Sequence, residues 1–345
     1  MELKNIVQQF IHTENYTISP ITNGLINCTY LLEDHDKKEK YILQKINTTI
    51  FKNPDTVIHN HLEINNLLQK SDYHLKMVKP IHSISDNYLI KTKNGEAWRM
   101  LSFIENSKTF LKVPDKKTAY EAAKTFGYFL NIINTEFLLN IQETLPDFIN
   151  FEKRINDYKA SLQTASQHLL KDSEKEIELV NQLLNLPEKW IEMEKTHLLP
   201  KRIIHADPKI SNILFDHHND PLAVIDLDTI MISTILYDFG DMIRSYTNTT
   251  DEDDGKSENN FDPEIYQAVK DGFLLNLKEK LTILEIENLD YAAQVVIYIQ
   301  AVRFLTDYLN GNIYYSTQYP EHNLDRTKNQ FILLKGLREY LNRSL

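Results

Sequence analysis

Apolar residues along this chain follow two rhythms. Between residues 15 and 105 they come in short alternating runs rich in β-branched and aromatic side chains: Tyr16–Ser19, Cys28–Leu32 and Tyr41–Ile46. Such runs read as strands, because successive strand side chains point to opposite faces. The charged stretch Asp34–Lys40 is a turn between the last two. Asp55–Gln69 instead places Val57, Ile58, Leu62, Ile64, Leu67 and Leu68 at helical spacing. Strands are predicted again at Met77–Ile81, Tyr88–Lys91 and Ala97–Ile104, with Lys93-Asn94-Gly95 as a hairpin turn. From Pro114 onward the rhythm is helical, over Lys117–Glu136, Phe151–Leu170, Ser173–Thr196, Pro263–Leu281, Asp290–Leu309 and Asp325–Leu341. The exception is Lys201–Asp228, which reads as two β segments flanking a loop. The pattern predicts an α+β protein: a small β-rich N-terminal lobe over 1–105 and a mainly helical C-terminal lobe over 106–345. The polar, acidic stretch Thr247–Asn260 is read as a solvated mobile loop.

At 345 residues the chain exceeds what one core usually holds, which fits two lobes. The formal net charge of −11 and the lack of a basic stripe argue against nucleic acid, and acidity argues against anionic membranes. Any anionic cofactor must then be held by local cations, metal or backbone N–H groups. Cys28 is the only cysteine, so no intrachain disulfide is possible, and it reads as a packed strand residue. The N-terminal MELKNIVQQF reads as an amphipathic helix rather than a signal peptide, and no apolar run suits a bilayer. A cytoplasmic protein is expected.

The chemistry concentrates in His205-Ala206-Asp207-Pro208-Lys209-Ile210-Ser211-Asn212, followed by Val224-Ile225-Asp226. This is H-x-D-x-x-x-x-N and then a hydrophobic strand ending in Asp. Phosphoryl transfer asks for these parts: a carboxylate to orient the acceptor hydroxyl, then an amide and a second carboxylate for Mg²⁺. Asp226 follows Asp207 by 19 residues, enough for a short returning hairpin. Asp207 is therefore read as the base and Asn212 and Asp226 as metal ligands, since Mg²⁺ takes oxygen donors and keeps several waters. Asp228 is read as facing the metal or the sugar, or as capping the next turn. Asp238-Phe239-Gly240 spells a known metal-binding tripeptide, but Asp238 lies 31 residues after Asp207 and the strand-ending Asp226 already fills that role. Asp238 is expected to bond the backbone of the catalytic loop.

Gly24 opens a stretch in which Asn27 and Thr29 either cover phosphates or build an ordinary hairpin. No G-x-x-x-x-G-K-[ST] is present, which argues against a P-loop. Lys45 ends a strand where a phosphate-binding lysine is expected, with Glu63 as its partner. Arg303 and Asp307 stand four apart on a helix, as an internal ion pair or as a polar wall for a polyhydroxylated acceptor. Asn323 or Asp325 is expected to cap the last helix.

Together these segments resemble the aminoglycoside-phosphotransferase and choline-kinase superfamily, and within it N-acetylhexosamine 1-kinases. The resemblance rests on Gly24 to Tyr30, Trp98-Arg99, Phe103-Ile104-Glu105, His205 to Phe215, Ile225 to Thr229, Tyr237 to Asp241, Arg303 to Leu309 and His322 to Arg326. It implies a protein-kinase-like bilobal fold, ATP and Mg²⁺ as cofactors, and phosphorylation of an anomeric hydroxyl. The candidate nucleotide site comprises Gly24, Asn27, Thr29, Lys45, Glu63 and Glu105, and the resemblance implies Asp207 as base, Asn212 and Asp226 on Mg²⁺, and Asp228 and Arg303 near the sugar. Two departures stand out. Ala206 and Pro208 replace the Asn and Thr usual in such a loop, and Met231-Ile232-Ser233 replaces M-P-G, which leaves the sugar's identity open. A kinase for another hydroxyl compound (an aminoglycoside, an amino alcohol or another sugar) and an inactive ligand-binding homologue are the alternatives.

Overall fold

The computed structural model describes residues 3–22, 26–135 and 139–343. The elements, in chain order, are α1 (Leu3–Phe10), β1 (Tyr16–Ile21), β2 (Cys28–Asp34), β3 (Glu39–Ile46), α2 (Pro54–Lys70), β4 (Pro80–Ile81), β5 (Ile90–Lys91), β6 (Ala97–Ser102), α3 (Lys116–Ile133), α4 (Phe151–Thr164), α5 (Gln167–Asp172), α6 (Glu174–Gln182), α7 (Asn185–Lys195), β7 (Arg202–Ile204), β8 (Ile213–Phe215), β9 (Pro221–Val224), β10 (Met231–Ser233), α8 (Ile235–Tyr246), α9 (Pro263–Leu277), α10 (Ile283–Glu287), α11 (Leu289–Leu309) and α12 (His322–Arg343). This is the α+β organisation expected, a small antiparallel sheet followed by helices. The chain forms two compact units: 1–109 with 132–146 and 212–232, and 110–131 with 147–211 and 233–345. The expectation of one boundary at 105/106 differs from this, because two later segments cluster with the sheet.

In the first unit an antiparallel sheet runs β1-β2-β3-β6-β4, with β5 also on β6. Its register pairs Gln44 with Arg99 and Lys45 with Trp98, and β2 sets Thr29 opposite Gln44. One face carries Leu32, Leu43, Trp98 and Met100 and is covered by Ile6, Val7 and Phe10 of α1. Thr29, Gln44 and Arg99 lie on the other face by strand alternation. Gly95 turns β5 into β6 at φ +80, a conformation an L side chain resists. The hairpin β8–β9 pairs Ile213 with Val224, and Phe215 exchanges both backbone bonds with Lys108.

The second unit is built on α11, whose residues are buried around the whole circumference and which packs on α4, α7, α8 and α12. Caps fix the helix starts: Asn150 accepts from Lys153 N, Thr234 from Leu236 N, and Asp262 from Glu264 N and Ile265 N. The helical stretches expected at 151–170 and 173–196 are each broken in two, with Ser166 capping the second piece of the first. The acidic segment 247–260 is tied down rather than merely solvated. Buried Asn329 donates to Thr250 Oγ1, Asp251 O and Asp254 O and accepts from Asn248. Among the described residues, no helix is long and apolar enough to cross a membrane.

Candidate functional site

The second unit holds the proposed base. Asp207 follows β7 and Ala206, whose φ of +64 is left-handed and costly for a residue with a Cβ. Asp238, on the first turn of α8, fixes this bend. Its Oδ2 accepts from His205 N at 2.7 Å and its Oδ1 from Ala206 N at 2.8 Å. This is the loop-bracing role expected for Asp238. Burial, with Asp241 and Asp207 nearby, pushes its carboxyl up to about 7 against the pull of the two N–H donors. His205 is fully buried, edge-on to Phe126 at 5.2 Å, and its Nδ1 accepts from Asp207 N at 3.3 Å. The histidine thus shapes the loop. Lys209 brings its Nζ to 2.9 Å from Asp207 Oδ2, a contact the sequence reading passed over although the lysine stands two residues on.

Arg303 lies in the same unit. Its guanidinium sits over Phe148 at 5.5 Å and Tyr315 at 5.7 Å and donates to Gln300 Oε1 at 3.0 Å. The ion pair with Asp307 does not form. Asp307 instead accepts from the backbone N–H groups of Ile313, Tyr314 and Tyr315 and from Asn323 Nδ2. A carboxylate satisfied by four donors holds the α11–α12 connection in a tight course that brings Tyr315 onto Arg303. Asn323 is buried in this net rather than capping α12, and Asp325 lies inside the helix. Tyr237 stands edge-on to Phe148 and feels the charges of both Arg303 and Asp207. Arg154 holds the carbonyls of Asp147 and Phe148, and its basicity is lowered by burial and by the like charge of Arg303. This corner therefore offers aromatic faces and guanidinium donors.

The first unit holds the proposed metal ligands. Asn212 and Asp226 flank the open end of the β8–β9 hairpin, where Ile225 N donates to Asn212 O at 2.9 Å. Both are hard oxygen donors, as Mg²⁺ requires. Among the described residues, no group of three or more His, Cys, Asp or Glu side chains forms a free-standing metal centre. An amide and a carboxylate suit an ion that takes further ligands from phosphate oxygens and water.

Other nucleotide-site expectations fare unequally. Gly24 lies outside the described residues. Asn27 Oδ1 accepts from Asn47 N, and Thr29 Oγ1 accepts from Gln44 Nε2. Lys45 does not pair with Glu63. Strand alternation turns it to the α1-covered face, where it meets Glu96 Oε1 at 3.3 Å and lies over Trp98. Cys28, beside it, is exposed rather than packed. Glu105 is exposed after β6. Asp228 is 1% exposed and forms a two-pronged ion pair with equally buried Arg99, at 2.7 Å from Nη1 to Oδ1 and 2.9 Å from Nη2 to Oδ2. Arg99 was given no role in the sequence reading. Its signal was a lone charge inside the apolar strand Ala97-Trp98-Arg99-Met100-Leu101.

The sequence matches the family described as phosphotransferase enzyme family over residues 17–271. Among solved structures, an aminoglycoside phosphotransferase from Alicyclobacillus acidocaldarius superposes with a TM-score of 0.64 at 12% identity, covering 99% of this chain and 97% of that one. A spectinomycin phosphotransferase in complex with ADP and spectinomycin gives 0.63 at 13%, over 97% and 95%. Choline kinase from Cryptosporidium parvum gives 0.57 at 13%, over 99% and 96%. At these identities the likeness is one of fold: a sheet-based N-lobe and a helical C-lobe.

Proposed function

The chain belongs to the phosphotransferase enzyme family, and we propose that it is an ATP- and Mg²⁺-dependent kinase that phosphorylates the anomeric hydroxyl of an N-acetylhexosamine. The family assignment makes it a small-molecule phosphotransferase acting on hydroxyl acceptors. The acceptor's class is the finer step, and Arg303 carries it. This guanidinium, over Phe148 and Tyr315, has no carboxylate within ion-pair distance among the described residues. A cationic acceptor such as choline, ethanolamine or an aminoglycoside would meet a like charge there. A neutral sugar bearing an N-acetyl carbonyl offers an oxygen that accepts from it.

In this reading Asp207 receives the hydroxyl's hydrogen bond and takes its proton late, while catalysis otherwise depends on placement and charge neutralisation. An anomeric hydroxyl is more acidic than an ordinary alcohol, so an unassisted carboxylate suffices. Asn212 and Asp226 would hold Mg²⁺, which when bound offsets the charge of the ATP phosphates. ATP is supported by the ADP complex of the spectinomycin phosphotransferase.

A kinase assay across free hexoses, N-acetylhexosamines, their methyl glycosides, choline, ethanolamine and spectinomycin, with ³¹P NMR of the product, tests the reading. Turnover should be highest with an N-acetylhexosamine and yield the 1-phosphate, and methyl glycosides should be inert. Phosphorylation of a methyl glycoside at the free-sugar rate would end the anomeric assignment. Preference for a cationic amine would end the sugar assignment and leave the kinase.

A further inference from the structure

We infer that Asp228 is a positioning residue: with Arg99 it holds Asp226 in the backbone conformation that presents its carboxylate to metal, and it contacts neither metal nor sugar. The inference rests on Asp226 being a metal ligand. Asp226 has φ 61 and ψ 59, left-handed and unfavourable for a residue other than glycine. Such a conformation persists only where its surroundings impose it. Residues 227–229 form a single 3₁₀ turn directly after it, so whatever fixes the turn fixes Asp226.

Asp228 is the middle residue of that turn. Its Oδ2 accepts from Arg99 Nη2 at 2.9 Å and from Asn27 Nδ2 at 2.8 Å, while Oδ1 lies 2.7 Å from Arg99 Nη1 as an ion-pair contact without hydrogen-bond geometry. At 1% exposure it has no surface to offer a sugar. Arg99 is itself locked: its Nε donates to Gln44 Oε1 at 2.9 Å, and Gln44 Nε2 donates to Thr29 Oγ1 at 3.1 Å. Because β6 is paired on both sides, by β3 and by β4 and β5, the guanidinium stands on a rigid base. The far end of the turn is held as well, since buried Asn60 of α2 donates to Ile230 O at 3.3 Å and to Gln142 O at 2.7 Å. The carboxylate of Asp228 therefore joins the sheet, the hairpin residue Asn27 and the turn that begins at Asp226. A buried ion pair is weak evidence for stability by itself, because apolar residues of similar volume often serve as well. What apolar residues do not supply is the directional hold of two charge-assisted hydrogen bonds, from Arg99 and Asn27, on one carboxylate oxygen of that turn.

The test is Mn²⁺ binding in the presence of ADP, followed by electron paramagnetic resonance. It compares wild type, Asp228→Asn, the paired Arg99→Met/Asp228→Leu and Asp226→Ala, with circular dichroism melts to confirm folding. Groups that orient metal ligands are typically worth ~10–100-fold in affinity. Asp228→Asn should weaken Mn²⁺ by about that factor while the KM for N-acetylglucosamine stays unchanged. The paired variant, which removes the buried charges together and so remains foldable, should show the same loss. Wild-type Mn²⁺ affinity in a folded paired variant would overturn the inference, as would an Asp228→Asn protein with raised acceptor KM and unaltered Mn²⁺ binding. If Asp226→Ala also bound Mn²⁺ like wild type, the metal assignment would fall first and this inference with it.

Discussion

Ala206 and Asp226 are two left-handed residues with side chains, each next to or at a position where chemistry is proposed. At Ala206 the strain of about 1–2 kcal/mol is offset by Asp238, which takes the N–H groups of both His205 and Ala206. Replacing Asp238 with Ala leaves two buried donors unpaired, at ~1–3 kcal/mol each. Urea unfolding of Asp238→Ala should therefore show a loss above about 2 kcal/mol; a loss below 0.5 kcal/mol (~0.5, the ordinary scatter of surface substitutions) would refute the bracing role. Asp207→Asn should do the reverse, lowering kcat by ~10²–10⁴-fold with an unchanged melting temperature. A further residue contributes to the acid limb of stability. His61 is fully buried, with Nε2 on Val78 O at 2.8 Å, and burial together with nearby Arg99 lowers its pKa to about 4. The unfolded chain then binds a proton below the ordinary value of 6.5 that the folded chain refuses. Stability from this group is present above 6.5 and lost as pH falls from 6.5 towards 4. The loss is up to about 3 kcal/mol. Chemical denaturation of His61→Gln across that window should show a shallower fall than wild type; an identical slope would refute the assignment.

Among the elements, α8 shows a motif outside its usual setting. The tripeptide Asp238-Phe239-Gly240 spells a metal-binding motif, yet its spacing from Asp207 pointed to the loop-bracing role that Asp238 has; the helix that carries it was not predicted. Its apolar residues Ile235, Leu236, Phe239, Met242, Ile243 and Tyr246 recur at helical spacing with Asp238, Asp241 and Arg244 between them, so the helix was legible in the sequence although the tripeptide drew the reading away from it. Its glycine is there for packing. A Cβ at Gly240 would come within 2.7 Å of Ala292 O and 2.6 Å of Val296 Cγ2 on α11. Gly240→Ala must push two helices apart and should cost ~1–3 kcal/mol, read as a lower midpoint in thermal unfolding. A neutral or stabilising outcome, as helix propensity alone would give, would show that the helices can separate freely. The Arg303–Asp307 spacing did mislead. Four-residue spacing makes two side chains neighbours, but the backbone N–H groups of 313–315 reach the Asp307 carboxylate at 2.8–3.0 Å and need an acceptor. Loop backbone carries no periodicity, so that competition was not legible in advance.

On the scale of the molecule, the sequence rhythm was enough to find a sheet followed by helices, because strand and helix periods differ. It could not find that the first unit is assembled from three stretches of chain, since membership in a core depends on long-range contacts. Those contacts are specific. Arg99 on β6 has its counter-ion in Asp228, and Asn60 on α2 bonds Gln142 and Ile230, all from the two later stretches. A fragment ending at residue 105, where the sequence alone would place the boundary, keeps Arg99 and Asn60 and loses every one of those partners. An unpaired buried charge costs roughly 3–5 kcal/mol, and two unsatisfied amide contacts add ~1–3 kcal/mol each. That approaches the entire stability of a domain, ~5–15 kcal/mol. Residues 1–105 expressed alone should therefore show no cooperative unfolding and no near-ultraviolet dichroism from Trp98. The fragment's Arg99→Met/Asn60→Leu version, which removes the orphaned polar groups, should recover part of both signals. A wild-type fragment that melts cooperatively with native dichroism would show that the sheet and α2 fold without the later stretches.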